Sequence, residues 1–255
     1  MKQITTIALY TVKMLRRDKI FFPAIILGVL FAFFAGMASG WSIDGYVRVL
    51  YDFGLAGFHF VGAIVAILWG AKIVGDFKND GSIELQLASP VNKALWFIGK
   101  CFGLFIILLV IGLGLLGVWQ IVLIQFNYQF MTVRQVLPFI MFIIEWWVLA
   151  AAAFFFASFA TTTTSIFCTI VLWVFGLTAQ PFYRAVTADT SPLIAETLKF
   201  LARFWNFQRF NLSDYAIVGE FPSNEYIGYS ALFAFLLIVI LLSFGSFMFH
   251  RRQLQ

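Results

Sequence analysis

Charge is scarce in this sequence. Asp, Glu, Lys and Arg make up 11% of its 255 residues, while 62% are hydrophobic and the mean hydropathy is +0.94. An ordinary soluble domain carries about 25% charged residues. No water-soluble packing hides this much apolar side chain, so the chain reads as an all-α integral membrane protein. Cysteine is limited to Cys101 and Cys168, both inside apolar runs, which excludes a disulfide framework. Histidine is limited to His59 and His250, too far apart to build a metal-ligand cluster with those cysteines, so no metal site is expected. The phosphate-cradling pattern G-x-x-x-x-G-K-[ST] is missing, so no nucleotide cofactor is expected in this chain. A cleavable signal peptide is not expected either, because 2–19 is too long and too polar before the first apolar run. With no solenoid repeat and no linker, 1–255 reads as a single transmembrane domain.

What the chain has in abundance is apolar length. About 20 predominantly apolar residues cross a bilayer, and six windows qualify, near 20–39, 54–73, 101–124, 137–159, 165–183 and 228–249. The fifth is the shortest and ends at Gln180-Pro181. Six spans put both termini on one side. Eleven Lys and Arg fall on that side: Lys2, Lys13, Arg16, Arg17, Lys19, Lys72, Lys78, Lys93, Lys100, Arg251 and Arg252. The other side has six, and seven of the twelve acids. The basic excess marks the cytoplasmic face, so both termini and the 72–100 loop are expected inside. A sequence pI of 9.3 therefore reports membrane orientation, not nucleic-acid binding.

Two further segments are amphipathic. Residues 2–17 place Ile4, Ile7, Ala8, Thr11, Met14 and Leu15 on one side at helical spacing, with Lys2, Lys13, Arg16 and Arg17 elsewhere. That pattern predicts a basic helix lying in the membrane interface against anionic lipid. Beyond the fifth span, Ser191-Pro192 caps a second amphipathic helix, whose stripe is Ile194, Leu198, Leu201, Ala202 and Trp205. It is expected outside the membrane. Trp41, Trp96, Trp119 and Trp205 fall near predicted membrane edges, as an aromatic belt would. Gly36 with Gly40, and Gly99 with Gly103, make small-xxx-small pairs that let helices approach closely, though apolar spans produce such pairs by chance.

Within the spans, polar chemistry is thin. Glu145, followed by Trp146 and Trp147, is the one acid deep inside a predicted span. Intramembrane carboxyls are costly and face a bundle interior or cavity. It reads either as a pathway or coupling residue, or more plainly as an interhelical hydrogen bond or as a residue nearer the interface than the window implies. His59 reads as a hydrogen-bonded interior residue in preference to a ligand. The hydroxyls of 161–165 sit in an uncharged turn between the fourth and fifth spans, where they cap helix ends. No base stands at a spacing that would make any of them a nucleophile.

The stretch NDGSIELQLASPVNKALWFIGK, 79–100, is a polar island between two greasy spans. Asn79, Asp80 and Ser82 can each cap a helix start, and 83–88 make under two turns. Ser89 caps afresh with Pro90 at the first helical position, and the next helix runs through Lys93 and Trp96 into the third span. Ile83, Leu85 and Leu87 are left partly uncovered on the expected cytoplasmic side. A short apolar helix of that kind suits a groove on a partner; the plain alternative is a solvated loop.

This segment resembles the one that follows the second span in ABC-2 type transporter permeases, where G-[ST]-[IL]-E-x-L-L-[AS]-x-P-[VIL]-x-[RK] leads through a G-K pair into span three. Gly81, Ser82, Ile83, Glu84, Leu87, Ala88, Pro90, Val91, Lys93, Gly99 and Lys100 match it in place. Gln86 stands where leucine is common, Asn92 where serine or glycine is frequent, and the upstream acids are thinned to Asp76 and Asp80. The stretch FQRFNLSDYAIVGEF before the last span and FHRRQL after it are similar too.

The resemblance implies the transmembrane permease of an ATP-binding cassette transporter in a bacterial inner membrane. Two permease copies would pair, and two cytosolic ATPase subunits, which bind the ATP and Mg, would dock beneath them. The docking element would be a coupling helix carrying Ile83, Glu84, Leu85, Leu87 and Pro90. The permease itself would not be an enzyme. Members handle lipids, glycans, drugs and maturation factors. The apolar interior of this chain favours export of an amphipathic or lipid-like molecule. One branch serves copper-centre assembly with a periplasmic partner, which the external stretch 184–227 would suit, though no metal ligands support it. Two other classes fit less well. An ion-driven secondary transporter calls for interrupted spans and several buried charges at the midplane, and only Glu145 is there. An intramembrane enzyme needs a paired nucleophile and base, which the spans lack.

Overall fold

The computed structural model describes residues 2–40, 46–79, 93–126, 133–185, 192–213, 215 and 222–252. Among them every regular element is helical: α1 (Lys2–Arg16), α2 (Phe21–Gly40), α3 (Tyr46–Asn79), α4 (Lys93–Gln125), α5 (Val133–Phe159), α6 (Thr162–Ala185), α7 (Pro192–Phe204), a 3-10 turn (Phe207–Phe210) and α8 (Asn224–Arg252). Six of them are long and apolar enough to cross a membrane, at Phe21–Gly40, Arg48–Gly75, Ala94–Gln125, Gln135–Phe159, Thr162–Ala179 and Asn224–Phe249. This is an all-α integral membrane protein with the expected six spans.

Most spans run past their apolar windows. Hydropathy stops at a charge, but a helix needs only backbone hydrogen bonds and continues through charged turns beyond the hydrocarbon. So α3 starts before Arg48 and Asp52, which pair at 3.7 Å as i,i+4 neighbours. The sixth helix overturns the expected stop at Pro181 by continuing to Ala185. Proline there has no N–H for the carbonyl of Leu177. Gln208 Nε2 donates to that carbonyl at 2.7 Å, which replaces the lost bond.

Helix α5 is the hub. It packs on α3, α8, α6 and α4, and 72% of its span window is buried, against 67% for α3 and only 22–28% for α2, α6 and α8. Those last three helices present large apolar side chains outward, such as Phe22, Phe33, Phe167, Phe235 and Phe244.

Helix α1 forms as the spacing predicts, but its stripe meets protein. Ala8, Thr11 and Leu15 are buried, and α1 lies along α4. Gly103 permits the crossing, since a Cβ there would collide with the Ala8 carbonyl and with Thr11, and a Cβ on Gly99 would crowd Ile7. The pair that sequence alone leaves to chance is the seat of α1. Lys100, one residue along, is buried with Nζ 5.1 Å above the Tyr10 ring and 5.6 Å above that of Trp96. The side chains that face outward from α1 include Leu9 and Tyr10.

Asp18 joins α1 to α2. Its carbonyl accepts from Phe21 N at 3.1 Å and its Oδ1 from Ile20 N at 2.9 Å, so it ends one helix and starts the next. Oδ2 accepts from Lys72 Nζ on α3, and Trp69 Nε1 lies 3.5 Å from Oδ1. Burial works to push this carboxyl up. The hydrogen bonds from Lys72 and the Ile20 N–H, the Lys72 charge and the Trp69 N–H outweigh that, and the group is held below the usual 3.8 of aspartate.

At the other end of the bundle, the turn after α7 runs back along α6. Trp205 Nε1 donates to the Leu172 carbonyl at 3.1 Å, and Phe207, fully buried, lies against Gly176. Asn206 Oδ1 caps the turn from Gln208 N at 3.0 Å, and Arg209 Nε donates to the Asn206 carbonyl at 3.0 Å. Irregular backbone at membrane depth requires such internal partners. Trp96, Trp119 and Trp205 are all buried between helices, so these three are interhelical packing and not a lipid-facing belt.

Candidate functional site

Glu145 lies at the centre of the bundle with no solvent exposure. It is the eleventh of the 25 residues of its span, about 3 Å from the span's middle at 1.5 Å per residue. The sequence run Glu145-Trp146-Trp147 makes sense on a hub helix, because its side chains between them reach α3, α4 and α6. Glu145 Oε1 accepts from Trp173 Nε1 of α6 at 3.0 Å, and His59 Nε2 of α3 lies 2.9 Å from the same oxygen. Trp146 Nε1 donates to the His59 carbonyl at 3.3 Å, and Trp147 Nε1 donates to the Phe105 carbonyl on α4 at 3.1 Å.

The site is walled by rings. His59 stacks on Phe142 with centroids 4.3 Å apart and meets Trp173 edge-on at 5.6 Å. Phe58 lies 4.6 Å from Trp146. Trp146 lies so close to α3 at Gly62 that a Cβ there would overlap its indole. The glycine thus permits the geometry that delivers Glu145 to His59.

An indole N–H only donates, so Oε1 is an acceptor, and His59 with its proton on Nε2 donates to it as well. Both donors therefore fall on one oxygen. Oε2 is fully buried and has no hydrogen-bond partner among the described residues. A buried polar atom left bare costs about 1–3 kcal/mol, and buried polar groups are normally satisfied. The arrangement can hold three helices together and still offers one carboxyl oxygen to a donor brought from elsewhere.

Glu145 thus makes the interhelical hydrogen bond of one sequence reading at the mid-span depth required by the other. His59 is a hydrogen-bonded interior residue, as expected. The pairing of the two, and the parts of Trp173 and Trp146, escape the sequence reading. The one available signal is that His59 and Glu145 each stand inside an apolar span. Ile83, Glu84, Leu85, Leu87 and Pro90 lie outside the described residues. The helices that flank them, α3 and α4, end and begin at the end of the bundle that carries both termini. The hydroxyl turn behaves as predicted: Thr164 N donates to Thr161 Oγ1 at 3.3 Å, and Ser165 Oγ donates to the Ala153 carbonyl at 2.8 Å. Among the described residues no three of His, Cys, Asp and Glu come together as a metal site.

Six helices long and apolar enough to cross a membrane make this a multi-pass membrane protein. A family model described as ABC-2 family transporter protein matches residues 5–254, and the chain belongs to that family. It is the permease component of an ABC transporter, a class that works with an ATP-binding subunit. No curated protein matches the chain.

Proposed function

We propose that this permease exports an amphipathic or lipid-like molecule across a bacterial inner membrane. Two copies pair, and two separate cytosolic ATPase subunits, which bind ATP and Mg, drive them. The termini and 80–92 face the cytoplasm, in line with the eleven basic residues assigned to that side against six on the other. Ile83, Leu85 and Leu87 fill a groove on the ATPase, Glu84 contacts its rim, and Pro90 fixes the angle into α4. Glu145 belongs to the path of the transported molecule. The observation that carries the substrate class is the polar contact at mid-depth in a bundle otherwise walled by apolar and aromatic side chains. A molecule with one polar end and one apolar end suits such a path.

The test is reconstitution with the partner ATPase in lipid vesicles. ATP hydrolysis is expected to need both chains and to quicken with amphiphiles, and the permease is expected to co-purify with the ATPase. Leu87→Asp removes a buried anchor, which costs about 2 kcal/mol or roughly thirtyfold in affinity. It should release the ATPase while leaving membrane insertion intact. Unchanged assembly and transport in Leu87→Asp would overturn the docking role, and rapid hydrolysis by the permease alone would overturn the division of labour. Cysteines placed at Asp44, Thr132 or Glu220 should react with an impermeant reagent in intact cells, and one at Asn79 should not.

A further inference from the structure

The bare oxygen of Glu145 has a consequence for which molecules are carried. The carboxyl of Asp18 uses both oxygens: Oδ1 accepts from Ile20 N and Oδ2 from Lys72. Glu145 concentrates Trp173 and His59 on Oε1 and leaves Oε2 open in the most expensive place for it. Around the pair stand the aromatic rings of Phe58, Phe142, Trp146 and Trp173. The pair is also not sealed on every side. The His59 side chain is 14% exposed, and at that edge Phe60, itself 45% exposed, lies 6.2 Å from the Trp173 ring. An apolar tail could rest on that outward apolar edge while a small polar head reaches inward past His59.

We infer that Glu145 Oε2 is a recognition position for the head of the transported molecule. That head is a cationic hydrogen-bond donor, a protonated amine on an apolar tail. An N–H of the ammonium donates to Oε2, while Oε1 keeps its bonds to Trp173 and His59. This rests on the reading of the chain as an exporter of amphiphiles and narrows it to one head-group chemistry.

The experiment uses the full permease–ATPase complex in vesicles and three amphiphiles of one chain length: a primary alkylamine, the corresponding trimethylalkylammonium and the corresponding alkyl sulfate. Binding is read from tryptophan fluorescence and turnover from stimulated ATP hydrolysis. The amine is expected to bind and stimulate best. The quaternary ion, which has charge but no N–H, should bind at least tenfold more weakly, and the sulfate should do nothing specific. Glu145→Gln keeps an acceptor oxygen for Trp173 and His59, and its amide nitrogen fills the open position. That variant should assemble, melt only slightly below the parent and lose the advantage of the amine. If the three amphiphiles act alike, or Glu145→Gln keeps the full amine response, or no Glu145-dependent binding is found, the inference is wrong. A complex that still pumps an amphiphile leaves the exporter reading standing in each of those cases. A complex that pumps none overturns both.

Discussion

Helix α3 carries two acid–base contacts, His59 with Glu145 and Lys72 with Asp18, thirteen residues or about 20 Å apart along its axis. The second lies where the chain turns from α1 into α2, and it is complete. Each oxygen of Asp18 has a donor, the Lys72 side chain is 39% exposed, and the contact fixes one helix end against another. The first is buried among four aromatic rings, and it is unfinished. A fold in search of stability alone would first satisfy Glu145, the acid that water cannot reach, before Asp18, whose side chain is 15% exposed. The difference separates a structural contact from one kept for a visitor. Substitutions that treat the two contacts alike should therefore give unlike results.

The largest effect is expected from Glu145→Ala. It strands the N–H of Trp173 and the His59 ring inside the bundle and opens a cavity, and breaking a buried pair from one side costs about 3 kcal/mol or more. Melting of the detergent-purified complex should fall steeply, whereas Glu145→Gln should cost about 1 kcal/mol or less because both donors keep an acceptor. Equal losses in the two variants would mean that the carboxyl serves packing only. Trp173→Phe should come next, at about 2 kcal/mol from one lost hydrogen bond and a small void. A loss as large as that of Glu145→Ala would show that the indole, and not the acid, organises the site.

Asp18→Asn should cost about 1 kcal/mol, since solvent screens a contact this exposed. Here pH sharpens the contrast. The folded-state carboxyl is held below its ordinary value, so its contribution is present above that value and lost as the pH falls through the lower, folded one. The parent should lose stability in acid over that window, and Asp18→Asn should lose less. The difference between their melting temperatures should shrink as the pH drops. A gap that stayed constant would mean that the turn backbone, not the Lys72 contact, carries the effect.

The sequence makes the two contacts unequally legible. Asp18 stands between an amphipathic run and an apolar run, where a turn residue belongs, but nothing in the sequence points from it to Lys72. The six spans are legible because about 20 apolar residues have few other uses, and the hydroxyl turn at 161–165 because capping is local. The stripe of α1 is legible as a face, not as a partner: Ala8 and Thr11 look the same whether lipid or Gly103 lies opposite. His59 and Glu145 are 86 residues apart, and periodicity carries no information over that distance. Pro181 misleads for a related reason. The stop it signals is local, while the donor that cancels it, Gln208, comes from beyond the next helix.

The smallest effect belongs to a third pair on the same helix. Arg48 and Asp52 face each other at 3.7 Å on the opening turns of α3, with side chains 70% and 47% exposed. Exposed i,i+4 pairs contribute about 0.3–0.5 kcal/mol in isolation. Here the cation is at the N-terminal end of the helix, where the macrodipole disfavours it, and that offsets part of the gain. Arg48→Ala should therefore move the melting temperature by less than the measurement resolves, and added salt should not change that result. If Arg48→Ala instead weakened the complex as much as Asp18→Asn, exposure would be a poor guide to which contacts on α3 matter. The contrast between its complete and incomplete pairs would then need another cause, such as a partner seated on the opening turns of α3.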